Sequence, residues 1–337
     1  MRTPTVCKEY LENLLEYLAE RGVNARQLQS VLRLNPLTHI TEHGRVPLRL
    51  FEMTLDAGAT LLNDPCLGAN AGTHCSRTPW GIVDYLGMSA ANAREALDGI
   101  QRYSRLLIDH GDMVLTEINS QTACLSWQQV SRQQSAPHVV EFFFANWYRV
   151  NKPMLDRGDA HREVHFAHAA NGREQQLTEL FEAPVQFGKK VNAVHFGREL
   201  LDQPTLYPHP GIHKSLEQAA RIELSNLQFE DRLIKDVRDC IAGQLAEGVP
   251  RLEDISAQLG IGARTLQRRL NNTETSYKSL VDETRKARSL GLIAQGEMAL
   301  LDISAELGFS DQSAFQKAFK RWYGQAPGRY RMMLQAS

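Results

Sequence analysis

The chain is 337 residues long, 42% hydrophobic and 23% charged, with a formal net charge of −1. That length allows two domains with sizeable cores, the composition is that of an ordinary globular chain, and no run of about 18 apolar residues supports a membrane span. A near-neutral total argues against strong nucleic-acid binding by the surface as a whole. From residue 231 onward, however, 16 Lys and Arg face 13 Asp and Glu, whereas the residues before hold 22 against 26, which puts any basic partner surface at the C-terminal end.

The opening segment, MRTPTVCKEYLENLLEYLAERG, has neither the uninterrupted apolar core nor the small-residue cleavage site of a secretory leader. Its Leu11, Leu14, Leu15 and Leu18 recur at helical spacing and predict an amphipathic helix. Five cysteines (Cys7, Cys66, Cys75, Cys124 and Cys240) show no C-x-x-C spacing, which fits reduced thiols and a cytoplasmic address. Cys66, His74 and Cys75 come nearest to a metal cluster. Adjacent His and Cys side chains do not readily face one tetrahedral ion, so no metal site is expected there.

Residues 5–110 read as largely helical, with apolar periodicity in LRLFEMTLDAGATLL and ANAREALDGIQRYSRLLI and turn-rich pieces between. Around 112–130 the pattern changes to MVLTEIN and TACLSWQQV, short β-rich runs that predict a hairpin across Ser120-Gln121. VVEFFFANWYRVNKPML predicts a mostly buried helix, and EVHFAHA and NAVHFG predict strands with the helix REQQLTELF between them. Helix and strand runs in this order make an α+β domain. His161, His165 and His168 alternate with core residues there and are expected as solvent-facing histidines rather than a ligand site. Trp80, Tyr85, Tyr103, Trp127, Phe142, Phe143, Phe144, Trp147 and Tyr148 are candidates to line a small-molecule pocket, with plain core packing as the other account for most of them.

The stretch DQPTLYPHPG contains Pro204, Pro208 and Pro210 and cannot continue a helix or a central strand. It marks a domain boundary, beyond which everything reads as helix. The expected organisation is an α+β domain over 1–210, a linker helix over 211–232, and an all-α domain over 233–335.

Inside the last of these, Asp254-Ile255-Ser256-Ala257-Gln258-Leu259-Gly260-Ile261 is nearly repeated as Asp302-Ile303-Ser304-Ala305-Glu306-Leu307-Gly308-Phe309. Such a repeat is one supersecondary unit used twice. Ile255 and Leu259, like Ile303 and Leu307, lie i and i+4 apart on one helical face, and Gly260 and Gly308 supply a left-handed turn. A second helix follows each turn: ARTLQRRL, burying Leu266 and Leu270, and DQSAFQKAFKRWY, burying Phe315 and Phe319. Gly262 is the expected cap of the first and Ser310 of the second. These are two helix-turn-helix units.

The exposed faces of the second helices hold Arg264, Gln267, Arg268 and Arg269, and Gln312, Ser313, Gln316 and Lys317. Arg and Gln carry forked groups that pair two-pronged with guanine and adenine edges in the major groove. A polar helix face is often no more than a solvated one, and it is the duplication that favours base reading. Between the units, SYKSLVDETRKARSLGLIAQ predicts a helix of roughly 30 Å, close to the ~34–36 Å turn of B-DNA.

These C-terminal residues resemble the AraC/XylS family of bacterial regulators. The resemblance rests on Ala305-x-x-x-Gly308-Phe309-Ser310-Asp311-Gln312-Ser313-x-Phe315, then Phe319-Lys320-Arg321-x-x-Gly324, then Pro327-x-x-Tyr330-Arg331. Arg264 to Leu270 and Arg285 extend it to the first unit and the connecting helix. It implies base contacts from Arg264, Gln267 and Arg268 and from Gln312, Ser313 and Gln316. Arg269, Lys317, Lys320 and Arg321 are the phosphate candidates. Lys317 stands where the family usually has Arg, which keeps charge but loses the bidentate fork, and Ala326 replaces a usual Ser or Thr.

About residues 15–208, through GIVDYLGMSAANAREALDGIQRYSRLL and LFEAPVQFGKKVNAVHFGRELLDQP, resemble the arabinose-binding-type domain of ornithine-utilisation and virulence regulators. The implied protein is a sequence-specific transcriptional regulator, an activator, whose α+β sensory domain binds a small-molecule effector and governs dimerisation or activation. Its implied partners are promoter DNA, the effector, RNA polymerase and a second copy of itself, with no membrane. The effector itself, whether amino acid, fatty acid or signalling lipid, is left open.

The chain has no H-E-x-x-H, G-x-S-x-G or G-x-x-x-x-G-K-[ST], and Gly260-Ile261-Gly262 is explained by the turn, so neither an enzyme nor a cofactor is expected. A sensory or protein-interaction module without specific DNA binding remains the alternative.

Overall fold

A computed structural model describes residues 4–41, 44–74, 81–128, 136–155, 162–272, 275–296 and 298–335. The chain divides into two units, one ending at Asn226 and the next beginning at Leu227.

The first unit is α+β. Helix α1 (Lys8–Glu20) buries Tyr10, Leu11, Leu14, Tyr17 and Leu18, the i, i+3, i+4 face anticipated from its leucines. The strand β1 (Thr5–Cys7) before it pairs antiparallel with β2 (Arg45–Pro47), Val6 opposite Val46. Neither strand was expected within this helical stretch, because three residues are too few to show a period of two. Between them lies α2 (Ala25–Leu32), closed by an Asn24–Gln27 capping box. The strand pair is fastened from inside. Buried Arg45 donates from Nε to Thr5 Oγ1 at 3.1 Å, from Nη2 to the Thr5 carbonyl at 3.0 Å and from Nη1 to the Leu106 carbonyl.

Helices α3 (Leu48–Leu62), α4 (Leu67–Thr73), α5 (Ile82–Ser89) and α6 (Ala93–Leu107) follow. The hairpin β3 (Asp112–Glu117) and β4 (Thr122–Gln128) comes next, then the apolar helix α7 (Pro137–Leu155). Helix α4 lies directly on α7 because two glycines let the backbones meet. A Cβ on Gly68 would sit 2.2 Å from the His138 carbonyl oxygen, and one on Gly72 2.3 Å from that of Phe142.

Strand β5 (Glu163–His165), helix α8 (Glu174–Phe181), β6 (Val185–Gln186) and β7 (Asn192–Gly197) complete a sheet ordered β3-β4-β7-β5-β6. Expected as one strand through EVHFAHA, β5 stops after three residues, and the Asn192 side chain then accepts from Ala167 N at 2.8 Å where a ladder bond would have been. His165 and His168 do not face solvent as expected. Their side chains are only 18% and 11% exposed, and His168 stacks on Phe166 and lies 3.4 Å from buried Glu141. Glu141 in turn pairs with buried Arg173 at 2.7 Å. His161, Cys75 and Trp80 lie outside the described residues.

Pro210 opens α9 (Pro210–Gln244), a helix that spans the division at Asn226. The second unit is all helix: the end of α9, then α10 (Leu252–Gln258), α11 (Ala263–Asn272), α12 (Tyr277–Gln295), α13 (Leu300–Glu306), α14 (Gln312–Tyr323) and α15 (Pro327–Gln335). Among its described residues are two separate cores. Leu233, Val237, Ile241 and Leu245 meet Ile255, Leu266, Leu270 and Leu280 in the first, and Ile293, Ile303, Leu307, Phe315 and Phe319 form the second. Among the described residues, α12 alone contributes buried residues to both, Leu280 near its start and Ile293 near its end. None of the described helices is long and apolar enough to cross a membrane.

Candidate nucleic-acid interface

The repeated octapeptide folds the same way twice. Ile261 N donates to the Ser256 carbonyl at 3.0 Å and Gly260 N to Ala257 at 3.1 Å; Phe309 N donates to Ser304 at 2.9 Å and Gly308 N to Ala305 at 2.8 Å. These paired bonds close a helix end around a left-handed residue, and Gly260 and Gly308 have φ of +67° and +66°.

Beyond the first turn, Gly262 opens α11 as expected, its carbonyl accepting from Leu266 N at 2.9 Å. Beyond the second, the cap of α14 is Asp311 rather than Ser310. Asp311 Oδ1 accepts from Ala314 N at 2.8 Å, and Ser310 supports it by donating to Oδ2 at 3.1 Å. The Ala314 amide first and the Ser310 hydroxyl second hold the Asp311 carboxyl below its ordinary range. Asp and Ser are comparable caps, and the carboxylate adds its attraction to the positive end of the helix.

Each second helix buries one face and exposes the other. Leu266 and Leu270, and Phe315 and Phe319, are fully buried. Arg264, Gln267 and Arg268 are exposed on α11, and Ser313, Gln316, Lys317 and Lys320 on α14, with Gln312 half-buried. Two phosphate candidates already have intramolecular contacts. Arg269 is half-buried over the Phe229 ring at 4.8 Å, and exposed Arg321 pairs with Asp282 at 2.7 Å.

The connecting helix holds the second motif in place. Arg285 donates from Nε to the Leu307 carbonyl at 2.8 Å and from its other arm to the Gly308 carbonyl, with its guanidinium 4.1 Å above the Phe309 ring. Burial lowers its pKa, and Asp282 partly offsets the shift. Arg288 donates to the Ala242 carbonyl and pairs with Glu306 at 2.8 Å, while Trp322 Nε1 donates to Asp282 at 2.9 Å. Arg288 and the Asp282–Trp322 pair carried no signal in the sequence, since their partners are about 18 to 46 residues away along the chain. The result is a pair of donor-rich helix faces on a braced frame, fit to meet a polyanion bearing base edges.

The α+β unit contains a cavity of about 90 Å³ between α5, α6 and α7 and the inner face of the sheet. Of the aromatic candidates, Trp127, Phe143 and Trp147 line it. Tyr103, Phe142, Phe144 and Tyr148 are buried away from its wall, and Tyr85 is 43% exposed.

This is the architecture of a two-motif helix-turn-helix regulator behind an α+β domain. A family model described as the arabinose-binding domain of AraC transcription regulators, N-terminal, matches residues 22–205, and a helix-turn-helix domain model matches residues 255–333. The chain belongs to the AraC/XylS family of transcriptional regulators, a non-enzymatic class of DNA-binding proteins. It is 24% identical over 322 residues to the ornithine utilization regulator of Pseudomonas aeruginosa, covering 96% of this chain and 95% of that protein. It is 26% identical over 290 residues to the regulator VirS of Mycobacterium tuberculosis, covering 83% of each. The crystal structure of the regulator CdpR from Pseudomonas aeruginosa aligns over 96% of this chain and 98% of that one, with 21% identity and a TM-score of 0.48.

Proposed function

We propose that this chain is an effector-controlled transcriptional activator that reads its DNA site with α11 and α14. The observation that carries this is the duplicated turn, each copy presenting an exposed helix face rich in forked or paired donors. Base edges would be met by Arg264, Gln267 and Arg268 from the first motif and by Gln312, Ser313 and Gln316 from the second. Phosphates would be met by Arg269, Lys317, Lys320 and Arg321, of which Arg269 and Arg321 must first leave or share their present contacts.

In this reading residues 1–210 bind the effector, 211–232 form the linker helix and 233–335 bind DNA. A second copy of the chain and RNA polymerase act at the same promoter, and the protein works in the cytoplasm. The cavity in the α+β unit is the effector site. A ligand there shifts the regulator only to the extent that it prefers one state over the other.

The test is selection of binding sites from a random duplex pool by the full chain, followed by footprinting. Protection of two successive major-groove faces is the expected result. Equal affinity for every duplex would leave the protein-interaction reading in its place.

A further inference from the structure

The cavity has an apolar wall and a few polar atoms with nothing to bond. Val83, Leu97, Ile100, Met113, Phe143 and Phe196 supply hydrocarbon and aromatic surface. Among the described residues the wall includes no Lys, Arg or His, so an anionic head has no counter-charge there. Asp84, the one acid on it, is already engaged within the protein.

Three lining residues carry a buried polar atom without a partner: Trp127 Nε1, Trp147 Nε1 and Asn146 Oδ1. Trp127 is 2% and Asn146 5% exposed, so water does not replace the missing bonds freely. Buried donors and acceptors are almost always paired in folded proteins, so each exception calls for a partner from outside the chain. Two of the three atoms sit on adjacent residues of α7 and the third on β4.

The orphans are two donors and one acceptor. A head group that only accepts, such as a carboxylate, would serve the indoles and leave Asn146 Oδ1 bare; one that only donates, such as an ammonium, would leave both indoles bare. Moving either charge into this wall also costs solvation that no opposite charge returns. A neutral head with both functions offers an acceptor to an indole N–H and a donor to Asn146 Oδ1, and it suits the Asn146 amide in either orientation.

From this we propose that the cavity takes an uncharged ligand with a hydrocarbon or aromatic body and one head group that both donates and accepts, such as a primary amide or an alcohol. The proposal rests on the effector reading above for its regulatory meaning, and on the cavity alone for its chemistry.

The experiment uses the full chain and a set of eight-carbon probes that differ only in the head: octanamide, 1-octanol, octanoate and octylamine, with L-lysine as a polar amino acid. Binding is followed by tryptophan fluorescence and by thermal unfolding. Octanamide and 1-octanol are expected to bind about tenfold or more tighter than the two charged analogues, the worth of one buried hydrogen bond left unmade. Asn146→Leu, which keeps the branched heavy-atom skeleton but removes both polar atoms, should weaken octanamide by a similar factor, and Trp147→Phe, which keeps a ring but deletes the donor, should do so if the first variant fails to fold.

Tighter binding of octanoate, octylamine or L-lysine than of octanamide would overturn the proposed chemistry while leaving an effector site in place. No binding of either neutral probe, or equal octanamide affinity in both variants and the parent, would also overturn it. Octanamide that binds as expected but leaves affinity for the selected DNA unchanged would uphold the ligand chemistry and sink the regulatory reading instead.

Discussion

Arg285 Nε, in the middle of α12, donates to the main-chain carbonyl of Leu307 at 2.8 Å, so the rod between the two motifs grips the turn of the second one. Its other arm reaches the Gly308 carbonyl and its plane covers Phe309. Lysine could offer a single charge there but neither the fork nor the stacking plane. Arg285→Lys is therefore expected to destabilise the second motif by about 1.5–3 kcal/mol, the range for hydrogen bonds to charged groups. Footprints should show protection retained on the half-site read by α11 and weakened on the other. Undiminished protection on both halves would mean that the turn holds without this grip.

The two turn glycines are alike in backbone and unlike in surroundings. A Cβ on Gly260 would meet nothing within 4 Å, whereas one on Gly308 would lie 2.6 Å from the Leu245 carbonyl oxygen. Gly260→Ala should cost about 1–2 kcal/mol, for the left-handed conformation alone. Gly308→Ala should cost a further ~1–3 kcal/mol of overpacking. Urea unfolding of the two variants measures the gap, and equal losses would refute the steric part.

Arg264 and Arg268 lie one helical turn apart and are both exposed on α11. Arg268→Ala should remove a base-edge contact worth about 1–3 kcal/mol and relax discrimination at one or two base pairs. Lys320→Ala should weaken specific and nonspecific DNA about equally and shallow the salt dependence by about one unit. A salt series on both DNAs separates them. Equal losses on both DNAs for Arg268→Ala would rotate the reading face away from this residue.

His168 gives the α+β unit an acid-sensitive point. Burial lowers its pKa below the ordinary 6.5, with the Ala169 carbonyl and Glu141 only partly offsetting the shift. The unfolded chain therefore takes up the proton first as pH falls. The stability tied to the neutral ring is complete above the unfolded value and is lost as pH falls from there through the lower folded value. Unfolding midpoints at pH 7.5 and pH 5 should fall further apart in the parent than in His168→Gln. The same drop in both would assign the acid sensitivity to other groups.

The parts that could be read from residues alone were those where one local signal repeats. The octapeptide, its two glycines and the Leu or Phe pairs behind it predicted α10, α11, α13 and α14, because helix periodicity and turn chemistry act within a few residues. Strands β1, β2 and β6 were missed, since two or three residues in a strand take their conformation from a distant partner. Asp311 displaced Ser310 as the cap although either residue type fits, because the start of α14 lies one residue later than the pattern suggested. Burial of His165 and His168 depends on Glu141, Arg173 and the Phe166 ring, and the cavity depends on helices and strands drawn from residues 10 to 206. No window of neighbouring residues contains that information.

The contact of α4 with α7 decides which wall of the cavity can give way. Gly68 and Gly72 put the two backbones at the closest separation they can reach, so α7, which carries Asn146 and Trp147, has nowhere to retreat toward α4. Opposite, the interlock of α5 with α6 is looser: a Cβ on Gly99 would stand 3.3 Å from Leu86 and one on Gly87 3.9 Å from Ala96. A guest larger than the empty volume would therefore meet its stiffest wall at α7, whichever part of the lining yields to it.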